Sequence, residues 1–212
     1  MSTKLDLTKQ FRQAFTAGKK PEIVELTEAN YVSIEGAGDP SGEAFSANIQ
    51  ALYSTAYSIK FTCKANGNDF IVPKLEALWS FDMVRYGDLT MAEAPLKIPR
   101  SEWNYRLMIR MPEFVTEELA LKMAKTVATL KNIPLANQIE WFTLNEGKSV
   151  QLLHTGPFST EPESLAILSA FMNENKLTHN GQHHEVYLSD FRKTHPDKLR
   201  TILREPVKSY EN

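Results

Sequence analysis

RLMIRMP at 106–112 and RTILREP at 200–206 carry arginine at their first and fifth positions and proline at their last. The two stretches therefore share register at Arg106 and Arg200, at Arg110 and Arg204, and at Pro112 and Pro206. Reading back toward the N-terminus from each, the same order of elements recurs: strand, helix, strand, then this strand. The first copy reads as 29–36, 42–59, 75–82 and 102–111, and the second as 148–154, 161–176, 183–188 and 199–206. In this alignment Trp79 is the counterpart of Tyr187, and Ala77 of Glu185. The expectation is an α+β fold in one domain over residues 1–212, with repeat one at about 20–112 and repeat two at about 115–207. Side by side, two such units give a curved antiparallel sheet with helices on one face and a ligand groove between the repeats.

The elements rest on local patterns. Residues 6–16 read as one short amphipathic helix, with Leu7, Phe11 and Phe15 four apart, ended by Gly18 and Pro21. The helix at 42–59 carries Phe45, Ile49, Leu52, Tyr53, Ala56 and Tyr57 on one stripe, with Ser41 placed to cap it. Strand material fills 69–82, and Tyr86 to Pro99 is the best internal loop candidate. Trp103, Tyr105, Leu107 and Ile109 alternate as one face of a half-buried strand. Thr116 caps a helix at 116–131 whose Glu117 and Glu118 suit its positive end. Residues 139–154 read as a hairpin turning at Asn145-Glu146-Gly147, and Thr160 with Glu163 as a capping box.

Composition excludes several classes. The 24 basic and 26 acidic residues are spread along the chain with no cationic stripe, so nucleic acid is not an expected partner. Cys63 is the only cysteine, which excludes an internal disulfide and a thiolate cluster. No apolar run approaches a bilayer span, and residues 1–20 lack a signal-peptide core, so membrane contact is not expected and a cytoplasmic location is. Gly36-x-Gly38 lacks the third glycine of a dinucleotide fold and the Lys-Ser/Thr of a phosphate loop, and is read as a turn. Ser189, Asp190 and His195 do not form a nucleophile elbow.

Alternation places His183, Glu185 and Tyr187 on one face of a strand and His184, Val186 and Leu188 on the other, the apolar pair marking the core side. Glu185 then looks into whatever the other face lines. A carboxylate with apolar walls is costly to keep charged, so its pKa should tend upward and it can serve as base or acid. The plainer reading is a solvated strand glutamate. Trp79, Trp103, Tyr105, Tyr53, Tyr57, Phe158 and Tyr187 gather near the repeat interface. Any one of them alone reads as core filling, but together around one carboxylate they suit a planar ligand. His183, Glu185 and His154 lack a metal-site spacing, and neither metal nor cofactor is expected.

Six segments carry a resemblance: EGAGDPSG at 35–42, ALYSTAYSIKF at 51–61, LEALW at 75–79, EWNYRLMIRMPEFVT at 102–116, LLHTGPFSTE at 152–161 and HHEVYLSDFRKTHPDKLRTILREPV at 183–207. In these the chain resembles the GyrI-like family, specifically its stand-alone members. The resemblance implies tandem SHS2-type repeats and a pocket lined by aromatics around a buried glutamate, which corresponds to Glu185. Tyr187, Trp79, Trp103 and Tyr105 correspond to the aromatic positions, with Tyr53, Tyr57, Phe158 and His154 as further ligand-binding candidates. Phe191 replaces a usual proline, a change expected to alter only a loop, and Phe158 replaces a common tyrosine. Some family members are drug-sensing domains of activators, one is a gyrase inhibitor, and some stand-alone members hydrolyse the cyclopropane of DNA-alkylating cyclopropylpyrroloindoles. The residues preceding the first repeat are too few for a helix-turn-helix, so the activator arrangement is not expected.

The expected function is hydrolysis of such cyclopropanoids, with Glu185 activating water and Tyr187 orienting it. The alternative is a passive binder that sequesters aromatic or cationic compounds by ion pairing and cation–π attraction. Gyrase is not an expected partner.

Overall fold

In the computed structural model, which describes residues 4–87, 89–90 and 92–210, the N-terminal segment forms two short helices, α1 (Leu7–Gln10) and α2 (Arg12–Phe15), where the spacing predicts one. The break falls at Phe11, whose ring has the Arg110 guanidinium 3.6 Å from its centre. Strands β1 (Glu22–Leu26) and β2 (Ala29–Ala37) lead into the long helix α3 (Glu43–Ala65). After β3 (Leu75–Ser80) come the small helices α4 (Met83–Tyr86) and α5 (Ala94–Lys97), then β4 (Asn104–Arg110) and α6 (Glu117–Leu130). The second half holds β5 (Glu140–Leu144), β6 (Gly147–Thr155), α7 (Glu161–Glu174), β7 (Leu177–His179), β8 (His183–Tyr187) and β9 (Arg200–Ser209).

Helix α3 runs beyond the expected end because Ile59 and Cys63 continue its buried stripe and Lys60 pairs with Asp69. Of the 69–82 strand material, Phe70 makes only an isolated bridge to Leu5 before β3 begins. The Tyr86–Pro99 loop contains α5; its Asp88 and Met91 lie outside the described residues. Two caps differ from expectation. Ser41 does not cap α3, whose cap is Gly42; Ser41 instead donates to Asp39. Thr160 occupies the position before α7, but its side chain accepts no capping bond; its hydroxyl donates to Pro157 O at 2.8 Å. Thr116 caps α6 as expected, accepting from Leu119 N at 3.2 Å.

Eight strands form one antiparallel path in the order β1-β6-β9-β8-β3-β4-β2-β5, with β7 added on β9. The central pair is β3 and β8, where Ala77 faces Glu185, Trp79 faces His183 and Leu75 faces Tyr187. A local twofold through the Ala77–Glu185 position makes Trp79 the equivalent of Tyr187. The α+β fold of duplicated units is thus the observed one.

The expected hairpin at 139–154 does not form. β5 pairs with β2, whereas β6 pairs with β1 and β9. Leu26 faces Gly147 and, past two linking residues on each chain, Ala29 faces Leu144. β1–β2 and β5–β6 are therefore the two sides of one long antiparallel ribbon that bends at 27–28 and 145–146 and bridges the ends of the sheet, which curls. What reads as a turn residue, Glu146, points inside the curl and is buried there. Its Oε1 accepts from His184 Nδ1 at 2.8 Å and its Oε2 from Arg204 Nη1 at 3.2 Å. His184 Nε2 donates to Glu76 at 3.0 Å, so two carboxylates and two cations balance.

Alternation along the strands separates the faces. Leu107 and Ile109 join Val32, Ile34 and the α3 stripe in the first core, and Leu152 and Leu203 pack under Leu165, Leu168 and Met172 of α7 in a second. Inside the curl, Val186 and Ile202 meet Ala14 and Phe15, so the N-terminal helices lie on the face opposite α3 and α7.

Burial raises the pKa of Glu146, but the charges and hydrogen bonds of His184 and Arg204 outweigh it and hold the carboxyl at about 2 against an ordinary 4.5. A carboxyl depressed on folding stabilises above its unfolded pKa, and that stability is lost as pH falls through the folded value. Glu146→Ala is expected to cost about 3–5 kcal/mol at pH 7, because it strands a buried arginine. Urea unfolding at several pH values checks this: the gap between variant and wild type should narrow between pH 4.5 and 2.

Candidate functional site

The strand face beneath α3 and α7 carries a seam of polar groups between the two apolar cores. β8 supplies His183, Glu185 and Tyr187 at alternate positions, as expected from the sequence, but the Val186 face expected on the core side lies inside the curl, and it is Tyr187 that joins the main core. Tyr187 is buried in the first core, and its hydroxyl accepts from Trp79 Nε1 at 3.2 Å. Burial, then the Glu185 charge, raises the Tyr187 pKa well above 10, so the phenol stays protonated. Glu185 Oε1 lies 3.4 Å from His183 Nε2, and the other ring nitrogen of His183 lies 2.7 Å from Glu205 Oε1. Desolvation of His183 is outweighed by Glu205 and Glu185, which raise its pKa to about 10. Glu205 is buried too, yet its two histidine neighbours, His183 and His179, hold it at about 2.

The residue that sequence reasoning missed is Glu161. It sits at the first position of α7, is 8% exposed, and its Oε1 has no hydrogen-bond partner among the described residues. Burial, reinforced by the Glu185 charge, pushes its carboxyl well above the ordinary 4.5. Glu161 is thereby kept protonated, within electrostatic reach of Glu185. The available sequence signal was Glu161-Pro162 opening a helix, a pattern that ordinarily marks an exposed first turn. What buries it is the connector before α7. There His154 donates or accepts at Ser164 Oγ (2.9 Å) and lies 3.3 Å from Pro157 O, fixing the entry to the helix. His154 therefore holds the connector that carries Phe158 and Glu161, with both ring nitrogens engaged.

The aromatic candidates divide. Trp79, Trp103 and Tyr105 are all buried and meet edge to face, Trp79 lying 6.1 Å from Trp103 and 5.7 Å from Tyr105 between ring centres. Phe45 of α3 stacks on Trp79 at 5.9 Å. Tyr105 lies so close to Gly36 that a Cβ there would fall 2.5 Å from its ring, which is why the strand opposite carries glycine. Phe158, Tyr187 and Phe191 form a second edge-to-face cluster with centres 5.7–6.0 Å apart. Phe191 thus does more than reshape a loop: it joins the wall beside Tyr187. Tyr53 lines a cavity of about 70 Å³ with Tyr187 and Phe191, whereas Tyr57 is 44% exposed and stacks outward on Tyr53 and Phe61.

The expected open groove is consequently a narrow seam filled with aromatic rings. Described residues of the excursion between β3 and β4 pack on both sides of it. Ala94 and Ile98 are buried in the first core, and Ala92 packs on the second, so the segment bridges both. Its outer side chains Val84 and Leu96 are 99% and 77% exposed. No helix among the described residues is long and apolar enough to cross a membrane, and none of their His, Cys, Asp and Glu side chains cluster as a metal site.

The GyrI-like small molecule binding domain matches residues 105–208. A conserved protein of uncharacterized function from Listeria innocua is similar in structure, with a TM-score of 0.85 at 33% identity, over 97% of this chain and 100% of that one. A Listeria innocua protein described as a hydrolase matches at TM-score 0.82 and 33% identity, with the same coverage. The C-terminal domain of EcmrR shares the fold, at TM-score 0.56 and 13% identity, over 90% of this chain and 98% of that domain. No curated protein sequence gives a significant match. Duplicated fold, aromatic seam and full-length similarity agree, and the chain belongs to the GyrI-like small-molecule-binding family.

Proposed function

We propose that this protein is a hydrolase that opens the cyclopropane of cyclopropylpyrroloindole-type DNA alkylators by adding water. The observation that carries the reading is Glu185 set between aromatic walls, with the buried Glu161 at the start of α7 near enough for the Glu185 charge to raise its pKa. The hydrolase description of the Listeria innocua relative supports it.

A flat cyclopropyl dienone is matched by the Trp79, Trp103 and Tyr105 side of the seam and by Phe158 and Tyr187 on the other. Water held between the two carboxyls gives its proton to Glu185 as its oxygen bonds to the unhindered cyclopropane carbon. The cyclopropane C–C bond breaks, its electron pair enters the dienone ring, and the carbonyl oxygen becomes a phenolate that takes a proton from solvent. Aromatisation drives the step, so positioning one water against one base is the main demand on the protein. Tyr187, held by the Trp79 indole, stands on the same strand face as Glu185 to orient the water. Entry of a ligand this size requires the Phe81–Glu102 excursion to move aside.

A second reading has its own support. With His183 balanced by Glu205, Glu185 is the surplus negative charge of an aromatic-walled seam, an arrangement that also suits an aromatic cation held without reaction.

Incubation with a cyclopropane-bearing alkylator, followed by mass spectrometry, separates the two readings. Hydrolysis predicts gain of one water, slowed at least ~100-fold in Glu185→Gln while binding persists. Binding with no mass change in the wild type would replace the hydrolase by the sequestering role. Glu161 adds a pH signature. Its ionisation would set a second negative charge beside Glu185, so turnover should fall on the alkaline side. Glu161→Gln should retain most activity at neutral pH and lose that alkaline limb; an unchanged profile would remove Glu161 from the mechanism.

A further inference from the structure

A larger cavity, about 410 Å³, lies on the other face of the sheet, inside the curl. Its walls are the N-terminal helices, the bend of the ribbon and the two arginines that close the sequence repeat, Arg110 and Arg204. The proposed hydrolase site uses none of them.

The two arginines occupy equivalent positions but have different surroundings. Arg204 stands opposite Gln151 in the strand register and is fully engaged: Nε and Nη2 donate to Gln151 Oε1 at 3.0 and 2.9 Å, Nη1 to Glu146 and Nη2 to Ala14 O at 2.7 Å. Arg110 stands opposite Tyr31, whose ring offers no such amide. It is 6% exposed, and among the described residues no carboxylate lies within 4.0 Å of it. Its side chain instead rests on the ring of Phe11, the residue between α1 and α2. A buried guanidinium with no counter-charge is costly, and an incoming anion offsets that cost.

The cavity matches an anion in sign and shape. Lys9, Arg12, Arg110 and Arg204 line it against Glu25 and Glu146, and Glu146 is already neutralised by His184 and Arg204. The Tyr31 hydroxyl also reaches the cavity, and burial keeps it protonated and able to donate. Phe11, Leu26 and Leu144 supply apolar wall. One free guanidinium fork and one hydroxyl satisfy a carboxylate, whereas a phosphate dianion needs more donors. We propose that this cavity is a second ligand site that binds a small organic carboxylate, its charge on Arg110 and Tyr31 and its hydrocarbon part against Phe11, Leu26 and Leu144.

Titration calorimetry with benzoate, phenylacetate and hexanoate tests it, with benzamide as the uncharged control. The expected result is saturable binding of at least one carboxylate, weakened at least tenfold in Arg110→Met, reduced in Tyr31→Phe and unchanged in Glu185→Gln. The Arg110 side-chain Nε–H resonance should shift with the same affinity, which keeps the test decisive if Arg110→Met does not fold. Absence of binding by all three carboxylates, equal binding by Arg110→Met, or loss of binding in Glu185→Gln would overturn the proposal.

Discussion

The buried bridge from Glu146 to His184 and Arg204 is the interaction on which the curl depends. Glu146 comes from the bend of the ribbon, and its two partners come from the central strands β8 and β9. An ion pair in this setting stabilises little relative to an apolar substitute, but it specifies strongly, because any arrangement that separates the partners leaves a charge buried alone. The bend of the ribbon is thereby tied to the interior of the sheet. With the ends of the sheet fixed, both faces of β8 acquire defined surroundings: the curl on one side and the seam between α3 and α7 on the other.

The seam is polar between two apolar cores, and this placement gives it chemical character. Buried carboxyls are expensive to ionise, the more so near another carboxylate. Here burial and the Glu185 charge keep Glu161 neutral at the mouth of α7, while His183 lies 3.4 Å from Glu185. Aromatic rings that meet edge to face line the rest of the seam.

Duplication supplied equivalent positions that then acquired separate uses. Across the central twofold, Ala77 leaves room where Glu185 carries charge, and Trp79 donates to its own equivalent, Tyr187. The same holds on the inner face. Arg204 is a structural clamp, and Arg110, facing Tyr31 rather than Gln151, has no carboxylate within 4.0 Å among the described residues. A single difference opposite an arginine separates a clamp from a candidate ligand contact.

The sequence by itself determined the α+β class, the paired repeats, the central alignment of Trp79 with Tyr187, and the face on which Glu185 and Tyr187 lie. These follow from periods of two and 3.6 residues and from the arginine–proline register, all of them local signals. Only the tertiary structure decided that 139–154 is half of a bent ribbon, because an Asn-Glu-Gly segment looks the same whether its glutamate is solvated or clamped by residues from distant strands. Burial of Glu161, the role of His154 in holding the α7 connector, the outward turn of Tyr57 and the packing of Phe191 were settled the same way. Each depends on which element lies above a side chain, and long-range packing determines that where the local pattern does not.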